Sequence, residues 1–336
     1  MKEDITMAKL LKTTFTLFLA LAFVFSFTSC KKEKAESSSA TSSGNVSEAW
    51  IWEGPDYETL KENPGKAEIT ISNPTGVLAK VIDSGELIIG TSPDYPAAEF
   101  VDAATGEVMG CEILLAQYIA NSLGVELKIE TMDFSAVLTA LDTGKIDLAI
   151  SGFGYKEDRA EQYELSHGYE AQSSVSHHTL VVRADEIDQY NALSDLSGKK
   201  IDAQASSLQQ MYVEDQIPNA DLQLITSLDQ GVLDLLADKI DAIALDATTA
   251  KNYAEASNGQ LVSLYTEKEI EFDLSMYSDY AGNVCAAKKG ETQFMEVINE
   301  IIDQVLATEN YYEEYNLYAT YYYAACEAAG ISPEEE

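Results

Sequence analysis

Positive charge is scarce in this chain of 336 residues. Lysine and arginine number 21 against 57 acidic residues, the formal net charge is −36, and only two arginines occur, Arg159 and Arg183. A chain this acidic is repelled by nucleic-acid phosphates and by anionic lipid headgroups. We therefore expect no nucleic acid among its partners and no polybasic attachment to a membrane.

Cysteine and histidine are also rare, which excludes most metal and disulfide frameworks. The four cysteines are Cys30, Cys111, Cys285 and Cys326, and the three histidines are His167, His177 and His178. An odd set of three cysteines after Cys30, without motif spacing, predicts buried small hydrophobic residues and no disulfide framework. Two of the histidines are adjacent in an extended stretch and point to opposite faces. No metal and no cofactor are expected.

No apolar run is long enough to span a bilayer, which takes about 20 residues. The run at 15–27 follows a basic segment and ends at Ser29 and Cys30, which is typical of a signal peptide over 1–29. Small residues before a cysteine resemble a bacterial lipobox, so Cys30 is the expected lipidation site. An ordinary cleaved signal or a short anchor is the alternative. Acidic residues at 3 and 4 favour Met7 as the start.

Residues 30–48 form a polar segment rich in Ser, Lys and Glu, which predicts a flexible tether. From residue 77 onward, short apolar strands alternate with amphipathic helices. Predicted strands cover 86–92, 125–131 and 146–151, and predicted helices cover 111–124 and 134–144. This alternation indicates βαβ units, and therefore an α/β fold around mostly parallel sheets.

An internal repeat divides the globular part. LDTGKIDLAISG (141–152) aligns with LLADKIDAIALD (235–246) at a constant offset, which predicts two similarly built lobes. Ligands of open α/β sheets bind beyond the carboxyl ends of strands. Gly152 and Asp246 occupy equivalent strand ends, so we expect them to face one cleft.

Two extended stretches, 173–186 and 276–290, are the predicted crossovers between the lobes. A helix over 291–315 follows the second one, so the first lobe is predicted to be discontinuous. The expected domains are 77–179 plus 277–320 for lobe 1, 180–276 for lobe 2, and 321–336 for a C-terminal tail.

The stretch SGFGYKEDR places two glycines and a rare arginine just after a predicted strand. Glycine N–H groups and the fork of Arg159 form a good carboxylate receptor; the alternative is a surface ion pair with Glu157. Asp246 can receive a cation across the cleft, or it can cap the helix that follows it. Together, Arg159 and Asp246 suit a zwitterion.

The sequence resembles the polar-amino-acid solute-binding proteins of bacterial ABC importers. The resemblance spans about 77–315 and lies in GELIIGTSPDYPAAEF, in the stretch from GEVMGCEILLAQ to ELSHGY, and in KIDAIALD. It implies a two-lobed periplasmic-binding-protein fold of type II, with mixed, mostly parallel sheets flanked by helices and two hinge crossovers. It also implies a lipid-anchored, extracytoplasmic monomer that passes an amino acid to an ABC permease.

The resemblance implies a role for each site residue. Arg159 binds the α-carboxylate, with backbone groups of Gly152 and Gly154, and Asp246 binds the α-ammonium. Three further ligand-binding positions are Tyr95 and Phe134, as cleft aromatics, and Ser207, at a helix N-terminus. Plain core packing is the alternative for the two aromatics.

The positions expected to contact the ligand's side chain are Ser92, Gln204 and Leu245. None of them is charged, so we expect a neutral or polar amino acid other than glutamine, unless Asp94 turns inward. Catalysis is not expected. The alternatives are a cyclohexadienyl-type dehydratase on the same fold, with Glu99 or Asp94 as its acid, and a ligand sensor that does not transport.

Overall fold

The structure is a computed structural model that describes residues 52–169, 177–277, 282–308 and 316–333. The predicted signal peptide (1–29), Cys30 and the tether (30–48) lie outside the described residues. Within the described ranges, no helix is both long enough and apolar enough to cross a membrane.

Thirteen strands and eleven α-helices are assigned in the described ranges. The strands are β1 (Glu86–Thr91), β2 (Asp94–Tyr95), β3 (Glu99–Val101), β4 (Val108–Met109), β5 (Glu126–Thr131), β6 (Leu148–Ala149), β7 (Tyr163–Leu165), β8 (His178–Arg183), β9 (Lys200–Gln204), β10 (Asp221–Ile225), β11 (Ala242–Asp246), β12 (Leu261–Ser263) and β13 (Ala286–Lys288). The helices are α1 (Tyr57–Glu62), α2 (Gly76–Ser84), α3 (Cys111–Leu123), α4 (Phe134–Asp142), α5 (Glu157–Gln162), α6 (Leu208–Gln216), α7 (Leu228–Leu236), α8 (Ala247–Ala256), α9 (Leu264–Lys268), α10 (Thr292–Ala307) and α11 (Leu317–Ala329).

Two five-stranded sheets share one topology. Their orders are β5-β1-β6-β13-β7 and β10-β9-β11-β8-β12. In each sheet the first three strands pair in parallel, and the fourth runs antiparallel to both neighbours. A small antiparallel sheet, β2-β3-β4, is added to the first lobe. The predicted two-lobed α/β class is confirmed.

The repeated Lys-Ile-Asp has a structural reason. The Asp147 N–H donates to Ile88 O (2.7 Å) while its Oδ2 accepts from Ile88 N (3.1 Å). Asp241 makes the same pair of bonds with Lys200 O (2.8 Å) and N (2.8 Å). In both lobes, therefore, one aspartate ties the start of a buried strand to its parallel neighbour.

Helix α11 is an integral part of the first lobe, and it crosses the predicted boundary at 320/321. Tyr321 and Cys326 are buried, and the Tyr321 hydroxyl donates to the Pro64 carbonyl. All three described cysteines are free and buried, as expected. Strand β8 belongs wholly to the second sheet, although the predicted boundary at 179/180 falls inside it.

The two crossovers contact each other through Tyr169 and Asn283, here called the crossover bases. Tyr169 is the last described residue before the first crossover, and Asn283 follows the second gap in the described chain. Their backbones form an antiparallel bridge, in which Tyr169 N donates to Asn283 O (2.8 Å). Asn283 also bridges to Gly154, which places both crossovers beside the turn that leaves β6.

Candidate functional site

The turn after β6 needs glycine at position 152. Gly152 has a φ of 56°, in the left-handed region, and a Cβ there would lie 2.9 Å from Tyr95 Cδ1. Both the conformation and the space therefore favour the absence of a side chain. The ring of Tyr95 lies against the turn, and it packs against the apolar clusters of both lobes.

Arg159, in α5, is buried and only 5% exposed. Its Nη1 donates to the Gly154 carbonyl, and its Nη2 donates to the Ser206 carbonyl of the second lobe (3.1 Å). Burial lowers its pKa to about 10. No described carboxylate forms an ion pair with it, whereas Arg183 pairs with two. The alternative of a surface ion pair with Glu157 is therefore wrong, and the guanidinium has donors left for an anion.

Aromatic rings support this guanidinium. Arg159 Cζ lies 5.0 Å from the ring centroid of Phe153, and that centroid lies 4.6 Å from the centroid of Phe134. Phe134 is 8% exposed and packs in the core of the first lobe. Phe134 contacts Phe153, so it links the core of the first lobe to Arg159. Sequence reasoning missed Phe153 because its apolar character predicts only burial.

Asp246 ends β11 and is 7% exposed. Its Oδ1 accepts from Thr249 N (2.9 Å), so it is the N-cap of α8, as the sequence allowed. The second carboxylate oxygen is not used by this cap, and no described Lys, Arg or His forms an ion pair with Asp246. The Asp246 carboxylate can therefore cap α8 with one oxygen and still offer the other oxygen to a cation.

His178 lies opposite Asp246 in the antiparallel register of β8 and β11. Burial lowers its pKa to about 4, while the nearby Asp246 charge acts in the other direction. The imidazole is therefore neutral at neutral pH, and its Nδ1 lies 3.0 Å from Gln209 Nε2. It adds no positive charge to neutralise Asp246.

The loop before α6 carries the predicted Ser207. Ser207 is the N-cap of α6, with its Oγ accepting from Gln210 N (3.1 Å). The preceding Ser206 has a φ of 69°, which is strained for a residue with a Cβ. The carbonyl of this same residue accepts the hydrogen bond from Arg159.

Asp94 does turn inward, between the lobes. Its Oδ2 accepts from Gln204 Nε2 (3.0 Å) and from Leu228 N at the start of α7 (3.1 Å), and its Oδ1 accepts from Ser92 Oγ (3.0 Å). Burial, followed by the charge of Asp229, raises its pKa. The premise of an uncharged side-chain pocket, and with it the expected neutral ligand, is therefore not supported.

Sequence reasoning also missed Glu112. This carboxylate, at the first turn of α3, is fully buried, and its Oε2 accepts from Gly152 N (2.8 Å). The signal available in the sequence was an acidic residue inside the apolar run CEILLAQYIA, where a charge needs partners.

Comparison with known proteins identifies the family. A sequence model of the bacterial extracellular solute-binding proteins, family 3, matches residues 87–321. A probable histidine-binding protein of Campylobacter jejuni is 29% identical over 227 residues, which is 68% of this chain and 82% of that protein. The arginine-binding extracellular protein ArtP of Bacillus subtilis is 28% identical over 52% of this chain and 66% of its own length.

A solved structure shows the same architecture. It is an amino acid ABC transporter substrate-binding protein from Streptococcus pneumoniae bound to L-arginine, with a TM-score of 0.64 and 29% identity. The match covers 77% of this chain and all of that one. Since the family model spans more than half of the sequence, this chain belongs to the bacterial extracellular solute-binding proteins, family 3.

Proposed function

We propose that this protein binds a free amino acid in the cleft between its lobes and delivers it to an ABC importer. The observation that carries the proposal is a pair of unneutralised charges, one in α5 after the end of β6 and one at the end of β11. Arg159 is a buried guanidinium without a described carboxylate partner, and Asp246 is a buried carboxylate without a described cation. A zwitterion supplies both counter-charges, and only the closed arrangement of the lobes satisfies both ends.

The ligand's side chain is proposed to be cationic. Burial raises the pKa of the half-buried Tyr253, whose hydroxyl donates to Asp229 Oδ1 (2.9 Å). The charges of Asp229, Asp94 and Asp246 all add to this rise. None of the three forms an ion pair with a described basic residue. Asp246 is assigned to the α-ammonium, so two negative charges remain for the side chain. Two relatives, a probable histidine-binding protein and an arginine-binding protein, support the same class of ligand.

A thermal-shift panel of the common amino acids tests this function. A ligand at about 100 times its Kd adds about 2.7 kcal/mol of stability, which is a measurable rise in Tm. We expect arginine, lysine or histidine to give the largest shift. A larger shift with glutamine would contradict the cationic class only, and no shift across the panel would contradict amino acid binding itself.

Anchoring through a lipid on Cys30 is proposed from the sequence alone. The −36 net charge opposes direct contact with anionic lipid, so retention at the outer face of the cytoplasmic membrane needs a covalent anchor. Cys30→Ser is expected to move the protein from the membrane fraction to the soluble extracytoplasmic fraction. Unchanged fractionation would contradict the anchor without affecting ligand binding.

A cyclohexadienyl-type dehydratase is the second candidate, because Glu99 is a buried carboxyl group with a raised pKa beside the cleft. Its side chain is only 1% exposed, however, and Ser151 Oγ donates to it (3.0 Å). This places the acid beneath the turn. We expect no turnover of prephenate or arogenate by the purified protein, and measurable turnover would reverse the assignment.

A further inference from the structure

Two carboxyl groups lie close together in the buried interior of the first lobe. Glu99, in β3, and Glu112, in α3, are 1% and 0% exposed, and both lie against Gly152: the Gly152 N–H donates to Glu112 Oε2 (2.8 Å), and a Cβ added at Gly152 would lie 3.7 Å from Glu99 Oε1. No described basic side chain forms an ion pair with either one. Two neighbouring buried carboxylates cannot both be ionised without a large repulsion. One proton shared between them is therefore the favoured state at neutral pH.

Glu112 joins three parts of the molecule. Its Oε2 accepts from Gly152 N (2.8 Å), in the turn that leads to Arg159. Its Oε1 accepts from Tyr169 Oη (3.1 Å) and from Asn283 Nδ2 (3.3 Å). Tyr169 and Asn283 are the bases of the two crossovers, so a single carboxylate connects both crossovers to the predicted ligand-binding turn.

Glu99 is the better candidate for the protonated member. Its Oε1 accepts only from Ser151 Oγ (3.0 Å), and among the described residues its buried Oε2 has no donor. Three donors stabilise a charge on Glu112, whereas one stabilises a charge on Glu99. A proton on Glu99 that is shared with Glu112 satisfies the remaining oxygen.

We propose that Glu99 and Glu112 share one proton and act as a positioning pair that holds the Gly152 turn and both crossover bases in the ligand-binding arrangement. Loss of the shared proton leaves two like charges in a site without a counter-ion, and their repulsion loosens the turn. The titratable groups facing the pair are all acidic or neutral: Asp94, Cys111, Tyr169, Cys285 and Tyr318. The ligand readout of this inference rests on the proposed function, and the stability readout does not.

The sign of the pH dependence follows from the raised pKa values of the pair. A carboxyl group whose pKa is higher in the folded state than in the unfolded state favours folding most at low pH. Its contribution is lost as the pH rises through the folded-state value. Stability and ligand affinity should therefore both fall on the alkaline side.

Three variants of the whole protein test the pair. Glu99→Gln keeps an N–H donor toward Glu112 and cannot ionise. Glu112→Gln removes the negative acceptor of Gly152 N–H, and Glu300→Gln removes an exposed carboxylate of α10 as a control. The readouts are Tm without ligand from about pH 6 to about pH 9, amide exchange at Gly152, and the affinity for L-arginine by calorimetry.

We expect Tm to fall with pH more steeply in the wild-type protein and in Glu300→Gln than in Glu99→Gln, since His178 and the buried cysteines contribute alike in all three proteins. Glu112→Gln should speed exchange of the Gly152 amide about tenfold or more, because an anionic acceptor is lost. The L-arginine affinity of Glu99→Gln should fall less between these pH values than that of Glu300→Gln, which corrects for titration of the ligand itself.

Identical pH profiles for Glu99→Gln and Glu300→Gln, or unchanged Gly152 exchange in Glu112→Gln, would overturn the positioning pair. Failure of every amino acid to bind would contradict the proposed function, and the Tm and exchange measurements would still decide the pair.

Discussion

Arg159 is a buried charged side chain without a counter-ion among the described residues. It is 5% exposed, and within the described ranges its guanidinium donates to two backbone carbonyls, Gly154 O and Ser206 O. A guanidinium in this setting prefers a planar anion that takes two parallel hydrogen bonds. In the proposed function, the ligand's carboxylate binds this guanidinium, which Phe153 and the Ser206 carbonyl of the second lobe already hold in place.

Arg159→Ala should weaken binding of the best amino acid in the panel by at least ~2 kcal/mol, about thirtyfold, because the ligand's carboxylate loses its charged partner. Arg159→Lys keeps the charge but loses the fork, and an intermediate loss of about tenfold is expected. Calorimetry measures both. Arg183→Lys is the control, since Arg183 pairs with Glu186 and Asp238 in the other lobe; equal effects at the two arginines would contradict the assignment.

Asp202 is a second residue whose charge is poorly accommodated. It is 1% exposed in β9, its Oδ2 has no donor among the described residues, and burial, followed by the charge of Asp234, raises its pKa from 3.8 to about 6. The folded state therefore binds this proton more tightly than the unfolded state. The aspartate destabilises the protein increasingly as the pH rises from about 4 through about 6.

Asp202→Asn should therefore stabilise the protein at neutral pH by about 1 to 3 kcal/mol. At about pH 4, where the wild-type side chain is already protonated, the two proteins should unfold at nearly the same urea concentration. Urea unfolding at both pH values measures this difference. Equal stability at neutral pH would show that Asp202 is not strained by its charge.

At the scale of elements, the turn that follows β6 belongs both to the packing of the first lobe and to the candidate site. Ser151 and Gly152 come shortly after this strand. The left-handed conformation of Gly152 turns the chain toward α5, and its N–H donates to Glu112. The equivalent end of β11 is occupied by Asp246 and leads into α8. The same strand position thus holds a glycine whose N–H meets a buried carboxylate in one lobe and a carboxylate side chain in the other.

Comparison of Gly152→Ala with Gly144→Ala separates the cost of backbone strain from the effect of a contact with Tyr95. Both glycines have a positive φ, 56° and 69°, but an added Cβ meets Tyr95 at 2.9 Å only at position 152, and nothing within 4 Å at position 144. Each variant should lose about 1 kcal/mol of stability from backbone strain. Only Gly152→Ala should also weaken ligand binding, as measured by calorimetry. Equal affinity in the two variants would remove the turn from the site.

Much of this architecture was readable from local patterns. Strand and helix periodicity predicted β1, α3, β5 and α4, and the repeated Lys-Ile-Asp predicted the equivalence of β6 and β11. These features depend on residues that are close in sequence, or on a repeat that is visible in the sequence itself.

The contacts that complete the site are not local. Glu112 meets Asn283 across 171 positions of sequence, and Asp94 meets Leu228 across 134. No spacing rule connects such residues, and an acidic residue near an apolar run predicts only that a partner exists. The inward direction of Asp94, on which the expected class of ligand depended, could be decided only once the two lobes were placed together.

At the scale of the whole molecule, Asp94 makes two of the polar contacts that join the lobes in the described part of the chain. In the second lobe, Ser227 precedes α7 but makes no capping bond with its side chain, and Asp94 of the first lobe accepts from the first turn instead. A helix N-terminus carries a partial positive charge, so a carboxylate there is favourable. Opening the cleft breaks this bond and the one to Gln204.

Asp94→Ala should therefore shift the ligand-free protein toward the open arrangement by about 1 kcal/mol, roughly a fivefold change in the ratio of closed to open molecules. Small-angle scattering should show a larger radius of gyration than for the wild-type protein. Asp94→Asn keeps one acceptor oxygen and should lie between the two, and Asp83→Ala, an exposed aspartate of α2, is the control. A scattering curve for Asp94→Ala that matches both the control and the wild type would show that Asp94 does not hold the lobes together. Its charge would then act on the ligand alone, and a loss of arginine affinity with unchanged scattering would identify that case.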